Sequence, residues 1–347
     1  MPSFFKKKEL WGSIIALLLL AYCLKDISAD EIKLLIARVD FYFLIPALLM
    51  EFVLMAVKGI RWRTIVEKTK KIPIFRAITL FSAGQVVNIV MPVLTGQVGR
   101  MLLFAKKENL SKTYVFSTIL LEVLFDAISL LGLILILSLA FVFPPEYRSL
   151  SYAIAIVTVS VFVFLYVVLL LKKKIGTLGR NQLRDRWPGV YLTLARFSRS
   201  FTRGIALLRS TQYFFRTLIL SLAAWAAHIL VVYFLFRSFG FQLPFATAIV
   251  IMVVNTLALM IPITPGNVGT FELAVVAPLL AFKIAKSDAV LYALALHLLD
   301  VIPIFVLGFI FLNTEKMTIK EIREEGEKEE FPDETDGEAS LVKEDRL

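Results

Sequence analysis

The sequence predicts an all-α, polytopic membrane protein with about six full transmembrane helices and two re-entrant helical hairpins that enter the bilayer from opposite faces. Three observations support this fold class. The 347-residue chain is 58% hydrophobic and 19% charged, whereas a soluble domain carries about 25% charged residues. Its apolar runs approach the roughly 20 residues of a spanning helix, and helix is expected because unpaired backbone is costly in hydrocarbon. A short proline–glycine pattern also occurs twice, once at each predicted hairpin.

Eight apolar runs organise the chain, and we predict that residues 1–312 form one transmembrane domain. The first run follows three lysines and is interpreted as a transmembrane helix, because a small-x-small cleavage site is lacking. The runs cover residues 10–25, 41–60, 74–94, 113–143, 150–171, 213–237, 245–263 and 287–312.

Basic residues predict the orientation, because Lys and Arg concentrate in cytoplasmic loops. Segment 58–76 holds seven basic residues and one acidic residue, and segment 172–212 holds ten and one. We predict that the protein lies in the cytoplasmic membrane, with both segments and both termini in the cytoplasm. Runs 74–94 and 245–263 must then return to the face from which they entered. The alternative, in which each hairpin is a pair of full spans, satisfies the same parity, although the return limbs are short and polar for that.

Charge is distributed unevenly along the chain. Residues 313–347 hold thirteen acidic and six basic side chains, so the net +10 of the whole chain leaves +17 on the body. The acidic segment has little to bury and is predicted to be a disordered cytoplasmic tail. The basic segment 172–212 contains interleaved aromatic residues and is predicted to form an interfacial helix on anionic lipids of the inner leaflet. Because positive charge is expected in cytoplasmic loops, the high pI does not indicate nucleic-acid binding.

The repeated pattern has the spacing P-x3-G-x-V-G, and its two copies are 170 residues apart. Proline removes a helix donor and glycine permits unusual dihedrals, so both copies predict interrupted helices. Inverted repeats with such breaks near the midplane are typical of secondary transporters; the alternative is that they merely kink packed helices. The copies pair Pro92 with Pro262, Gly96 with Gly266, Val98 with Val268 and Gly99 with Gly269.

Ionisable residues within the apolar runs are further candidates, because each costs about 2.5–3.5 kcal/mol on insertion scales unless it is paired or lines a cavity. Glu122 and Asp126 are spaced i, i+4, and His297 and Asp300 are spaced i, i+3. Both pairs can reach the hairpin tips, where a carboxylate beside a histidine could carry a coupling proton; a structural salt bridge or a protonated acid remains the alternative. For Glu51 the structural interpretation is favoured.

The segment Arg61-Trp62-Arg63 is placed where a phosphate headgroup would lie, since arginine binds phosphate bidentately. A positive-inside anchor is an equally good interpretation. With two histidines in the chain and no acidic residue near His228 in sequence, no metal and no cofactor is expected. The full predicted cavity comprises Arg61, Arg63, Asn88, Pro92, Gly96, Gln97, Gly99, Arg100, Glu122, Asp126, Asn255, Pro262, Thr264, Pro265, Gly266, Gly269, Glu272, His297 and Asp300.

Over about residues 10–312, these motifs resemble the flippase-like transmembrane domain of lysylphosphatidylglycerol synthases. The family's first motif usually has the form P-x-R-x-G-E-x-x-R, but here Leu94 and Gln97 occupy its arginine and glutamate places, and Val123 occupies a frequent arginine place. The resemblance implies lipid translocation between leaflets, and the departures leave the headgroup open. It rests on Arg61-Trp62-Arg63, Asn88, Pro92, Gly96, Arg100, Glu122, Asp126 and the run Pro262-Ile-Thr-Pro-Gly-Asn-Val-Gly-Thr-Phe-Glu272.

The predicted function is a membrane carrier for a phospholipid or a polyprenyl-phosphate lipid, with proton coupling and a homo-oligomer left open. Two alternatives are an integral membrane lipid-linked glycosyl or headgroup transferase and a non-transporting partner of a cell-envelope complex. The sequence contains no DxD motif, glycine-rich phosphate loop or nucleophile elbow, which favours the carrier over an enzyme.

Overall fold

A computed structural model describes residues 2–25, 27–90, 96–140, 210–260, 263–316 and 321. Across these ranges the regular structure is helical, as predicted. One short 3₁₀ helix, Pro265–Asn267, follows α8. The α-helices are α1 (Pro2–Leu24), α2 (Ala29–Arg38), α3 (Phe41–Val66), α4 (Ile74–Val90), α5 (Gly96–Glu108), α6 (Lys112–Ala140), α7 (Thr211–Ser238), α8 (Phe245–Leu259), α9 (Thr270–Ala281) and α10 (Lys286–Thr314).

Four of these helices are long and apolar enough to cross a bilayer, namely α3, α6, α7 and α10, and shorter apolar helices lie beside them. The prediction of a multi-pass helical membrane protein is therefore confirmed. The predicted run 150–171, the basic segment 172–212 and nearly all of the acidic tail lie outside the described residues, as do Pro92 and Pro262.

Helix α2 was not among the predicted apolar runs. Its beginning is nevertheless encoded locally, because the Ser28 hydroxyl accepts the Glu31 N–H at 3.2 Å and Asp30 and Glu31 occupy the first turn. Such a cap satisfies one of the free amides at a helix start, and acids there are favoured by the helix dipole.

Helices α4 and α5 form an antiparallel pair, in which α4 ends at Val90 and α5 begins at Gly96 (the first break). At its open end the Arg76 guanidinium donates to Glu108 at 2.8 Å. At its closed end Gly96 lies so close to Asn88 that an added β-carbon would be 2.7 Å from the Asn88 Oδ1. Helix α4 also packs closely on α3, where a β-carbon on Gly59 would be 2.6 Å from the Ile78 Cα. Small residues permit this close helix approach, on which packing in membranes depends.

Helices α8 and α9 form the second pair, and the 3₁₀ helix between them marks the second break. Its open end lies near the start of α10, because α9 ends at Ala281 and α10 begins at Lys286. The first pair opens at the other end of α10, where Glu315 lies within hydrogen-bonding distance of Arg76 and Lys107. The two broken pairs therefore begin at opposite ends of the same long helix.

The apolar core follows this division. One cluster surrounds the first pair and contains Trp62, Phe81 and Phe104. The larger cluster joins α7, α8, α9 and α10 around Phe236 and Tyr292. The Tyr292 hydroxyl, buried in that cluster, donates to the carbonyl of Val232 at 2.9 Å, which satisfies its polar group.

Candidate functional site

The second break lies against the end of helix α4, close to the first break. Gly266 has left-handed dihedrals, φ 59° and ψ 14°, and its β-carbon position is 3.6 Å from the Ile89 side chain. Gly269, with φ 83°, faces α1, where an added β-carbon would be 2.8 Å from the Ala16 carbonyl oxygen. The positive φ favours glycine at both positions, and at Gly269 the space for a β-carbon is also closed.

A network of two arginines and two carboxylates lies beside the first break. The Arg100 Nη2 contacts both oxygens of Glu122, at 2.9 and 2.8 Å. The Arg61 guanidinium forms a two-point ion pair with Asp126 and donates to the Ser221 hydroxyl at 3.0 Å. Arg61 Nη2 is also 3.9 Å from Glu122, so the four charges form one group drawn from helices α3, α5 and α6, with Ser221 contributed by α7.

The two arginines of this network are almost completely buried, Arg61 at 1% exposure and Arg100 at 4%. Among the residues that the structure describes, the Nε of each has no hydrogen-bond partner, so this N–H of each guanidinium is unused. Asp126 differs from them, because 40% of its side chain is exposed. The network is therefore buried on its basic side and open at one carboxylate.

Aromatic rings enclose the Arg100 guanidinium on its other sides. Its central carbon is 4.6 Å from the Phe81 ring centroid and 5.1 Å from that of Phe104, distances at which a cation is attracted to the ring face. Gly84 makes room for this arrangement, since an added β-carbon would lie 2.6 Å from the Phe104 ring.

A carboxylate and a histidine stabilise the second break. Glu272 accepts the Gly269 N–H at 2.6 Å and contacts the His297 Nδ1 at 2.7 Å. The other ring nitrogen, Nε2, is 3.1 Å from the Gly266 carbonyl oxygen, and Phe271 stacks on the imidazole at 4.3 Å. Both contacts of His297 are hydrogen bonds only when both ring nitrogens carry protons, or when Glu272 does.

A third cluster joins Glu51, His228 and Asp300 from the long helices α3, α7 and α10. The His228 Nε2 is 3.2 Å from an Asp300 oxygen and 3.7 Å from Glu51 Oε1. The sequence interpretation, in which His228 lacks acidic partners, was wrong, because residues 177 and 72 positions away lie beside it. Asp300 and His297 share a helix but contact different partners, His228 and Glu272 respectively.

The missed residue, His228, carried one signal in the sequence. Like Glu51 and Asp300, it lies in the middle of an apolar run, which places all three at a similar depth if the helices span the bilayer. The sequence does not say which spans are neighbours, so depth alone was insufficient to pair them.

The remaining predicted residues lie in different surroundings. Arg63 is not part of the arginine–carboxylate network: it donates to the Ile72 carbonyl at 2.6 Å and approaches Glu67 at 3.7 Å. Asn255 is buried, with its Oδ1 unpartnered, and Thr264 contacts Thr270 through the hydroxyls at 3.1 Å. Gln97 is exposed, Gly99 is buried, and Pro265 begins the 3₁₀ helix.

Comparison with known proteins identifies relatives of the chain. A family model described as Lysylphosphatidylglycerol synthase TM region matches residues 10–308. The chain is also 21% identical, over 313 residues, to UPF0104 membrane protein PH1989 of Pyrococcus horikoshii. That similarity covers 82% of this chain and 91% of the archaeal protein.

Proposed function

We propose that this chain, which belongs to the lysylphosphatidylglycerol synthase transmembrane-region family, is a lipid transporter that moves a lipid with a charged, phosphate-containing headgroup between leaflets. The observation that carries the proposal is the position of the second break against the end of α4, with a buried charge network beside each break. Interrupted helices at membrane depth are tolerated where they line a polar cavity, and transporters bind substrate at such sites.

In this proposal the two broken pairs are re-entrant hairpins and the long helices are full spans. The four hairpin helices have 17, 13, 15 and 12 residues, or about 18–26 Å at 1.5 Å per residue. The hydrocarbon core is about 30 Å thick, so each falls short of crossing it. The end that gathers Lys70, Arg76 and Lys107 would be cytoplasmic, together with both termini.

The first break would receive the phosphate. The first turn of α5 has no acidic residue and is followed directly by Arg100, so the partial positive charge of the helix start has no acidic side chain in that turn. The first turn of α9 is already occupied by Glu272. The unused Nε donors of Arg100 and Arg61 add directional hydrogen bonds for phosphate oxygens.

The carboxylates of the network would release the arginines as the headgroup enters. With two arginines, Glu122 and Asp126, the network is close to neutral, so a phosphate must replace a carboxylate as the guanidinium partner. The displaced carboxylate would then take a proton or the amine of a zwitterionic headgroup. The partly exposed Asp126 is the accessible member for this exchange.

Proton coupling would use the second break. His297 connects the Glu272 carboxylate to the Gly266 carbonyl, and loss of its second ring proton removes one of those hydrogen bonds. Because Gly266 and Glu272 both belong to the interrupted segment, protonation of His297 would change how firmly the break is held to α10.

The test is reconstitution of the purified protein into liposomes that contain fluorescent lipids with zwitterionic, anionic or polyprenyl-phosphate headgroups, with and without a proton gradient. We expect headgroup-dependent translocation well above that of empty vesicles. Arg100→Met should abolish it, whereas the control Arg237→Met should retain it, because Arg237 lies at the far end of α7 over Phe43. Rates equal to empty vesicles for every headgroup would overturn the proposal.

The same preparation separates transport from the enzymatic alternative. A headgroup- or glycosyl-transfer assay with radiolabelled donor should give no product in the carrier interpretation. Product formation that depends on Asp126 or Glu272 would favour a transferase.

A further inference from the structure

The Glu51, His228 and Asp300 cluster (the α3–α7–α10 triad) has a charge that its described neighbours do not balance. Two of its members are carboxyls, and the ligand atoms of all three residues lie within 4.8 Å of one another. Among the described residues the salt bridges of these carboxyls are with His228 alone. Lys58 on α3 and His297 on α10 are the next positive groups to act on them. Two adjacent buried carboxylates repel each other strongly, so one of them takes up a proton unless a cation lies between them.

One atom of the triad also lacks a partner. Glu51 is 1% exposed, and within the described part of the chain its Oε1 forms no hydrogen bond although it lies 3.7 Å from His228 Nε2. A buried carboxylate oxygen without a partner is costly, and it is explained when the oxygen is a ligand. His228 and Asp300 retain 17% and 20% exposure of their side chains.

We propose that the α3–α7–α10 triad binds a divalent transition-metal ion of the Zn²⁺ class, through His228 Nε2 and one oxygen each from Glu51 and Asp300. Zn²⁺ binds imidazole nitrogen at about 2.0–2.1 Å and carboxylate oxygen at about 2.0–2.2 Å, usually as a tetrahedron. Ligand atoms of such a tetrahedron lie about 3.3–3.6 Å apart. The observed separations from Nε2, 3.2 and 3.7 Å, are close to that range without rearrangement of the helices.

The ion would join three long helices at one point and leave a fourth coordination position open. Helices α3 and α7 already pack along each other, and α10 contacts both, so metal binding would lock an existing three-helix contact. One imidazole and two carboxylates suit Zn²⁺, Mn²⁺ or Fe²⁺, whereas Mg²⁺ prefers oxygen ligands and water. This site is separate from both breaks and does not depend on the proposed lipid transport.

The test uses full-length protein in detergent, freed of its affinity tag and stripped with a chelator, and it titrates Zn²⁺ and then Mg²⁺ by calorimetry. We expect one Zn²⁺ per chain, an increase in the unfolding temperature on binding, and no comparable response to Mg²⁺. His228→Ala, Glu51→Gln and Asp300→Asn should each weaken Zn²⁺ binding at least tenfold.

The matched control is Glu272→Gln, which removes a buried carboxylate beside the other histidine and should leave Zn²⁺ stoichiometry unchanged. If His228→Ala unfolds, the conservative Asp300→Asn variant provides the same comparison. A wild-type protein that binds less than one Zn²⁺ per chain at saturation, or triad variants that bind it as tightly as wild type, would overturn the proposal. Equal loss of binding in Glu272→Gln would instead place the ion at His297 and would also overturn it.

Discussion

The two breaks share a sequence pattern but are held by opposite charges. At the first, Arg100 lies directly after the opening turn of α5, near the helix start, and is neutralised by Glu122 from another helix. At the second, Glu272 lies in the opening turn of α9, closes its own loop through the Gly269 N–H, and contacts His297. An acid suits a helix start, whereas an arginine there needs an anion from elsewhere. Two breaks with the same sequence pattern thus give one site that supplies its own anion at the helix start (the self-sufficient break) and one whose charge needs a partner from another helix.

The largest expected effect is at the break that depends on its partner. Arg100→Met leaves Glu122 buried with Arg61 as its nearest basic group, at 3.9 Å, and should cost about 3–5 kcal/mol of stability. The double variant Arg100→Met with Glu122→Leu removes both charges and should recover most of that loss, while lipid transport stays absent. Thermal unfolding in one detergent, together with the liposome assay, measures both. Transport that returns in the double variant would reduce Arg100 to a structural role.

Variants at the self-sufficient break should lose less stability. Glu272→Gln keeps the shape of the side chain but removes the charge opposite His297, and should cost about 1.5–3 kcal/mol, the value of a hydrogen bond to a charged group. Because Glu272 and His297 form one unit, the double variant with His297→Gln should be no worse than the more severe single variant. Additive losses in the unfolding temperatures would contradict this coupling.

Substitutions of the equivalent glycines at the two breaks should destabilise the protein for different reasons. Alanine at Gly96 would place its β-carbon 2.8 Å from the Asn88 carbonyl oxygen, an overpacking penalty of about 1–3 kcal/mol. Alanine at Gly266 has room, with its nearest neighbour 3.6 Å away, and should cost about 1–2 kcal/mol through its left-handed backbone. Asparagine tolerates that conformation, so Gly266→Asn should be milder than Gly266→Ala, whereas Gly96→Asn should be worse than Gly96→Ala. The reverse order of stability would show that the two glycines are not constrained in these two different ways.

The smallest effect concerns the open end of the α4–α5 pair. Hydrogen bonds from Arg76, and then from Lys107, lower the pKa of the Glu315 carboxyl. Because folding lowers this pKa, the stabilisation from Glu315 is fully present above the ordinary pKa of about 4.3. It is lost as the pH falls through the folded pKa. The group is partly exposed, so we expect less than about 1 kcal/mol. Unfolding temperatures between about pH 3 and 6 should fall more in wild type than in Glu315→Gln; parallel curves would exclude the contribution.

The sequence by itself determined the membrane class, because long apolar runs have no other solvent in which to be stable. It also predicted the interrupted helix at the second proline–glycine copy, where the 3₁₀ helix Pro265–Asn267 separates α8 from α9.

Only the tertiary structure decided which distant charges meet. Helical periodicity shows which residues share a face of one helix, but it carries no information on which helices are neighbours. Asp300 therefore contacts His228, 72 residues away, and His297 contacts Glu272, although His297 and Asp300 are three residues apart. A buried charge takes the nearest partner in space, and in a helical membrane protein that partner is set by packing between spans.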